Sequence, residues 1–177
     1  MRKLILLIIS IFFLLPGLKA QDVALKTNTL YWLGTTPNLG IEFATSRKVT
    51  LELTGSYNPW TFSNERKTRF WFAQPAARYW FCEKFEGHFM GVHAHGGQFF
   101  AQFGGDIYDG WLVGGGLSYG YDWILSPHWN IEAEIGLGYA HLKYKQSPEG
   151  PCLKCRGHRS KNYAGPTKAA VSFIYIF

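Results

Sequence analysis

After its first twenty residues the sequence has no apolar run approaching the roughly 18 residues of a membrane-spanning helix, and no stretch with helical periodicity. A helical membrane protein is thereby excluded. Charge is also scarce, at 17% of residues, and the small basic excess does not argue for nucleic acid.

The first twenty residues stand apart. "MRKLILLIISIFFLLPGLKA" joins Arg2 and Lys3 to an apolar run ending near Leu15, then Pro16, Gly17 and the small Ala20. That order is expected of a cleaved signal peptide over 1–20, with a domain over 21–177. Cleavage would remove three basic residues and no acid, leaving 157 residues with a net charge of +3. No cysteine follows the cleavage point, so no lipid anchor is indicated.

What the chain has in quantity is aromatic residues, 18%, and 20 glycines. They fall in order. In "WLVGGGLSYGYDWI" Trp111, Val113, Leu117, Tyr119, Tyr121 and Trp123 share one parity, and Gly114, Gly116, Ser118, Gly120 and Asp122 the other. "WNIEAEIGLGYA" repeats the pattern from Trp129 to Tyr139. Period two means strands. Eight are expected, near 23–33, 37–45, 48–58, 69–81, 87–99, 110–124, 129–143 and 164–177, with no helix among them. Connections after the second, fourth and sixth are tight, and those after the third, fifth and seventh are long. An all-β, eight-stranded antiparallel up-and-down transmembrane β-barrel has this rhythm, with short periplasmic turns and longer outer loops.

A ligand-holding barrel in water would use the same alternation with its faces reversed. The polar parity decides between them, because its members are mostly glycine, serine and a few ions, suited to a narrow lumen rather than a hydrated exterior. Trp129 and Tyr139 lie ten residues apart. At about 3.3 Å per residue and a tilt near 40° they would stand about 25 Å apart along a membrane normal. Trp111 and Trp123 would stand about 30 Å apart, so both pairs suit the two interfacial girdles.

Lys26, Glu42, Glu52, Arg78, Asp122, Glu132, Glu134 and Lys168 fall on the lumen parity. Ions in so narrow a space need partners, since an unpaired buried charge costs several kcal/mol. A structural ion-pair plug is the expectation. A proton or ion path and a catalytic carboxylate pair are the alternatives.

No constellation points to a metal, a cofactor or catalysis. Cys152 and Cys155 stand as "CLKC" in the last long loop without a second ligand pair, so a local disulfide is expected. Cys82, in a tight turn, reads as a buried or lipid-adjacent thiol. His93 and His95 share a face, with His88 on the other, and two imidazoles make a weak metal site. Ser118 and Ser172 fall on the lumen parity, so no acyl-transfer triad is visible on the lipid face. The last loop is basic. Lys143, Lys145, Lys154, Arg156, Arg159 and Lys161 face only Glu149, about +5 by count, and could hold lipopolysaccharide phosphates or an acidic surface polymer. The chain closes on "AAVSFIYIF", whose Phe173, Tyr175 and Phe177 resemble the aromatic signal read by the barrel-assembly machinery.

The stretches "ALKTNTLYW", "TTPNLGIEF", "SYNPWTF", "QPAARYWFCEKFEGHF", "GWLVGGGLSYGYDWILS" and "NYAGPTKAAVSFIYIF" resemble an uncharacterised family of secreted Bacteroidetes proteins, domain of unknown function 3575. The resemblance covers nearly all of 21–177. It implies an outer-membrane barrel, often encoded near fimbrial or surface-assembly genes, and it brings no catalytic residue. Ala76 departs from it, since relatives often carry an acid there, which would leave Arg78 one partner short. The expected protein is a monomeric, non-enzymatic outer-membrane barrel without a cofactor. Its expected contacts are outer-membrane lipid, the barrel-assembly machinery, and lipopolysaccharide or a surface or fimbrial protein. A narrow pore for small solutes or ions and an envelope lipid-modifying enzyme are the alternatives.

Overall fold

A computed structural model describes residues 22–59, 61–62, 66–103, 106–148 and 157–177. The expected signal peptide lies outside the described residues. Nine strands follow in order: β1 (Val23–Asn28), β2 (Asn38–Ala44), β3 (Val49–Asn58), β4 (Thr61–Phe62), β5 (Arg66–Trp80), β6 (Gly87–Phe103), β7 (Asp106–Ser126), β8 (Trp129–Pro148) and β9 (Gly157–Ile176). Eight of them form a closed antiparallel ring in the order β1-β2-β3-β5-β6-β7-β8-β9. The seam is the β1–β9 ladder, from Ala24↔Ile176 to Asn28↔Ser172. The two-residue β4 pairs only with the start of β5, Thr61↔Lys67. Closure matters physically because it leaves neither end strand with an unpaired edge.

The strands differ from the sequence expectation at their ends. Residues 29–33 do not continue β1 but form a helical turn, α1 (Thr29–Leu33). The Asn28 side chain accepts a hydrogen bond from the Leu30 N–H at 3.0 Å, and the Gly34 N–H donates to the Tyr31 carbonyl at 3.1 Å. An asparagine cap outweighs a short alternating run. In the other direction, β6 to β9 run well past their expected limits. Most of the two expected long connections around 100–109 and 144–163 is paired strand, for example Gln102↔Ile107 and Lys145↔His158. Polar side chains hid this extension, because paired strands that project beyond the apolar belt need not alternate.

The opposite end carries the tight turns. In the β2–β3 turn the Ser46 hydroxyl accepts from the Val49 N–H at 3.1 Å. In the β5–β6 turn Phe85 has a φ of 63°, which is strained for a residue with a β-carbon. Its ring is buried against Trp80, 5.9 Å between centroids, and that packing offsets the strain. Cys82, expected to be buried or lipid-adjacent, is exposed in this turn.

A bulge breaks the β8–β9 register between Gly136 and Leu137. Lys168 pairs with Gly136 and Pro166 with Leu137, so Thr167 is the extra residue. The outward parity of β9 therefore switches at the bulge, and Thr167 and Lys168 both serve the interior.

Candidate functional site: the ion-paired interior

Alternation sends two different populations to the two faces of the ring. Outward, Leu51, Leu53, Val92, Val113, Leu117, Ile135, Leu137, Val171 and Phe173 are all exposed. Tyr79, Phe81, Trp123, Trp129 and Phe177 are exposed toward the turn end, and Trp71, Trp111 and Tyr139 toward the loop end. Among the described residues, the outward positions from Trp111 to Trp123 and from Trp129 to Tyr139 hold no Asp, Glu, Lys or Arg.

The interior is built in layers. At the turn end Trp80, Phe85, Phe89, Ile174, Ala24 and Ala44 form a small apolar cluster. Sequence reading missed it because its two ends, the "RYWFCEKFEGHF" turn and the closing strand, are far apart in the chain. Its only local signal is that Trp80 and Phe89 share parity with Arg78 and His93. The rings need space opposite them, and Gly120 supplies it. A β-carbon there would stand 2.3 Å from Phe89 Cζ.

The ionic layer lies on this cluster, with the Arg78 guanidinium 4.6 Å above the Phe89 ring centre. Arg78 on β5 reaches across the ring to β8 and grips Glu132 bidentately, Nη1 to Oε2 at 2.6 Å and Nη2 to Oε1 at 3.1 Å. It also contacts Glu42 at 3.3 Å, and Glu52 and Glu134. Lys26 on β1 meets Glu42 at 2.6 Å, Glu52 at 3.1 Å and Glu132 at 3.2 Å. Lys168 bridges Glu134 at 3.0 Å and Glu52 at 3.2 Å. Each carboxylate thus touches at least two cations, the arrangement that offsets desolvation. Gly40 makes room for this on β2, since a β-carbon would meet Lys26 Cγ at 2.7 Å.

Seven of the eight expected lumen ions join this one network. Asp122 is buried beside it, cross-strand from Glu132, but forms none of the ion pairs among the described residues. Ala76, the departure from the family pattern, is buried and lies in register with Glu52 and His93. The Arg78 guanidinium is met by four carboxylates without an acid at 76. Between these side chains remains a cavity of about 20 Å³, room for about one water.

Above the ions comes a polar layer. Asn38 accepts from the Asn28 N–H at 2.6 Å and donates to the Asn28 carbonyl at 2.9 Å. His93 and His95 are buried and stacked, 5.8 Å between ring centres, and His93 Nε2 lies 2.9 Å from the Thr167 hydroxyl. His88 points outward and pairs with the Tyr119 hydroxyl at 2.7 Å. Among the described residues no three His, Cys, Asp or Glu side chains are grouped to hold a metal. Ser118 and Ser172 are both buried in the interior.

The other expected positions scatter. Cys152, Cys155, Lys154 and Arg156 lie outside the described residues. Arg159 and Lys161 are exposed on β9. Arg159 shares an outer cleft with Lys143, Lys145, Asp109 and Trp111, and the Lys143 ammonium lies 5.6 Å over the Trp111 ring. Phe173, Tyr175 and Phe177 follow one another along the seam. The Phe177 N–H donates to the Val23 carbonyl at 3.2 Å, and its ring stands edge-on to Tyr175 at 5.2 Å.

A closed ring with an ionised interior and an apolar exterior can be set beside known families. The model of one of them, described as a protein of unknown function (DUF3575), matches residues 4–177. The chain belongs to this family. No curated protein matches it.

Proposed function

We propose that this DUF3575 chain is an outer-membrane barrel of structural and surface-interaction type, exported by a signal peptide over 1–20 and working without catalysis or a cofactor. The single observation that carries the reading is the outward belt. Its large aliphatic side chains, such as Leu117 at 64% and Leu137 at 62% exposure, are flanked at both ends by exposed Trp and Tyr. Water would penalise that surface by roughly 25 cal/mol per Å² of apolar area, and lipid would not. Aromatic girdles bounding an uncharged band are the pattern of barrels in bilayers.

The ion-paired layer supports a plug rather than a pore. Conduction would have to pass a cavity of about 20 Å³ bounded by Arg78, Glu132, Glu134 and Lys168. The interaction surface is then the loop end. Lys143, Lys145 and Arg159 stand there beside Trp111, at the level where an outer leaflet would present phosphate groups. The turn end, which carries both described chain ends, would face the periplasm.

Two measurements test this. Full-length protein should fractionate with outer membranes and migrate faster unheated than boiled in detergent gels. Recovery in the periplasmic fraction without heat-modifiability overturns the membrane reading. Floated with vesicles containing lipopolysaccharide, the protein should be retained in proportion to phosphate content. Replacement of Lys143, Lys145 and Arg159 together by alanine should lower retention several-fold with the barrel still folded. Unchanged retention overturns the loop-end surface.

A further inference from the structure

At the loop end of the interior, above the polar layer, the ring holds a second space that neither the plug nor the outer cleft uses. Its volume is about 440 Å³, within the ordinary range for small-molecule sites. Phe70 and Phe72 of β5 and Phe99 of β6 line one side, and Leu112 of β7 and Leu142 of β8 the other. Their parity is that of the buried residues, so these are interior side chains that alternation would otherwise make polar. Tyr31, from the helical turn α1, lines this space and also the cavity among the ions below. Among the described residues, no charged one lines it.

Two details show what it is shaped to take. The first is a column of flat rings. His93 stacks on His95 at 28° between planes, and His95 stacks on Phe72 at 26° with centres 5.7 Å apart. The column ends at Phe72, in the wall of the well. The second is Ser56, cross-strand from Phe72 and also lining the well. Only 6% of Ser56 is exposed, and its hydroxyl has no hydrogen-bond partner among the described residues. An unmatched buried hydroxyl beside an apolar wall is costly unless something completes it.

We propose that this well binds a neutral, ring-bearing small molecule with one hydroxyl or carbonyl group, its ring against Phe72 and its polar group on the Ser56 hydroxyl. Neutrality follows from the uncharged lining, since an ion placed there would be desolvated without a counter-charge. A flat ring follows from the aromatic wall, where stacked or edge-on rings gain beyond their buried area. The well is a property of the closed ring and does not depend on lipid surrounding it.

The probe is 6-fluoro-2-naphthol, followed by its fluorine resonance with the full chain in lipid nanodiscs and with empty nanodiscs as the blank. Saturable broadening beyond the blank is expected. Ser56→Ala should weaken it about fivefold, the loss of one hydrogen bond. Leu112→Trp, which fills the well, should abolish it in protein that still shows heat-modifiable migration. Should that variant not fold, Phe72→Leu keeps an apolar wall without the ring and should weaken binding at least threefold. Broadening no greater than the blank overturns the proposal. So does binding untouched by both Leu112→Trp and Phe72→Leu, or 1-decanol displacing the probe while Ser56→Ala has no effect.

Discussion

Arg78→Met is the sharpest perturbation of the plug. In the native ring four carboxylates, Glu42, Glu52, Glu132 and Glu134, share three cations, Lys26, Arg78 and Lys168. The substitution leaves the four acids with two lysines, and Glu132 loses both of its guanidinium bonds. Met fills much of the volume of the stem, so the effect is electrostatic more than steric. Removing one partner from a buried ion network costs about 3 to 5 kcal/mol. With a slope near 2 kcal/mol per molar of urea, the unfolding midpoint should fall by about 2 M. Tryptophan emission follows the transition, and of the seven tryptophans Trp80 is fully buried next to this layer. Adding Glu132→Gln should recover part of the loss, because the double variant removes the carboxylate that depends most on Arg78, and the cycle reads their coupling. A loss below about 1 kcal/mol for Arg78→Met, with no coupling to Glu132, would refute the account of the interior as a mutually paired plug.

Two further outcomes address the exterior and the seam. Leu117→Arg lies at the centre of the apolar belt, between Val92 and Leu137 in register. In a bilayer it should cost about 2 to 4 kcal/mol in folding titrations with lipid, whereas in a ring surrounded by water it would cost nothing. Deleting Phe177 removes its hydrogen bond to Val23 and its contact with Tyr175 at the seam. It should reduce the amount of heat-modifiable protein in membranes far more than deletion of a loop residue, and normal levels would show that the seam closes without it.

Much of this architecture was legible in the chain. Strand side chains alternate strictly, so parity alone separates Glu132 and Glu134 from Ile131, Ala133 and Ile135 without any knowledge of neighbours. The same rule set Lys26, Glu42, Glu52, Arg78 and Lys168 on one face of their strands. It failed where local chemistry or backbone irregularity intervened. The Asn28 cap turned 29–33 into a helix, and the bulge at Thr167 shifted the parity of β9. Pairing beyond the apolar belt was invisible because "KYKQSP" and "GHRSKN" contain no alternation to read. Backbone pairing with the neighbouring strands is what makes them strand.

Partnership lay beyond the reach of pattern. Arg78 and Glu132 are 54 residues apart, and Lys26 and Glu132 are 106 apart. Nothing local relates them. Alternation along the chain settled which side chains face inward, because the direction of a side chain depends only on its own strand. Ring closure settled which inward ions meet, which glycine faces Phe89, and where the wall of Phe72 and Ser56 leaves a space. Those depend on the stagger between strands, a relation that exists only once every edge has found its partner.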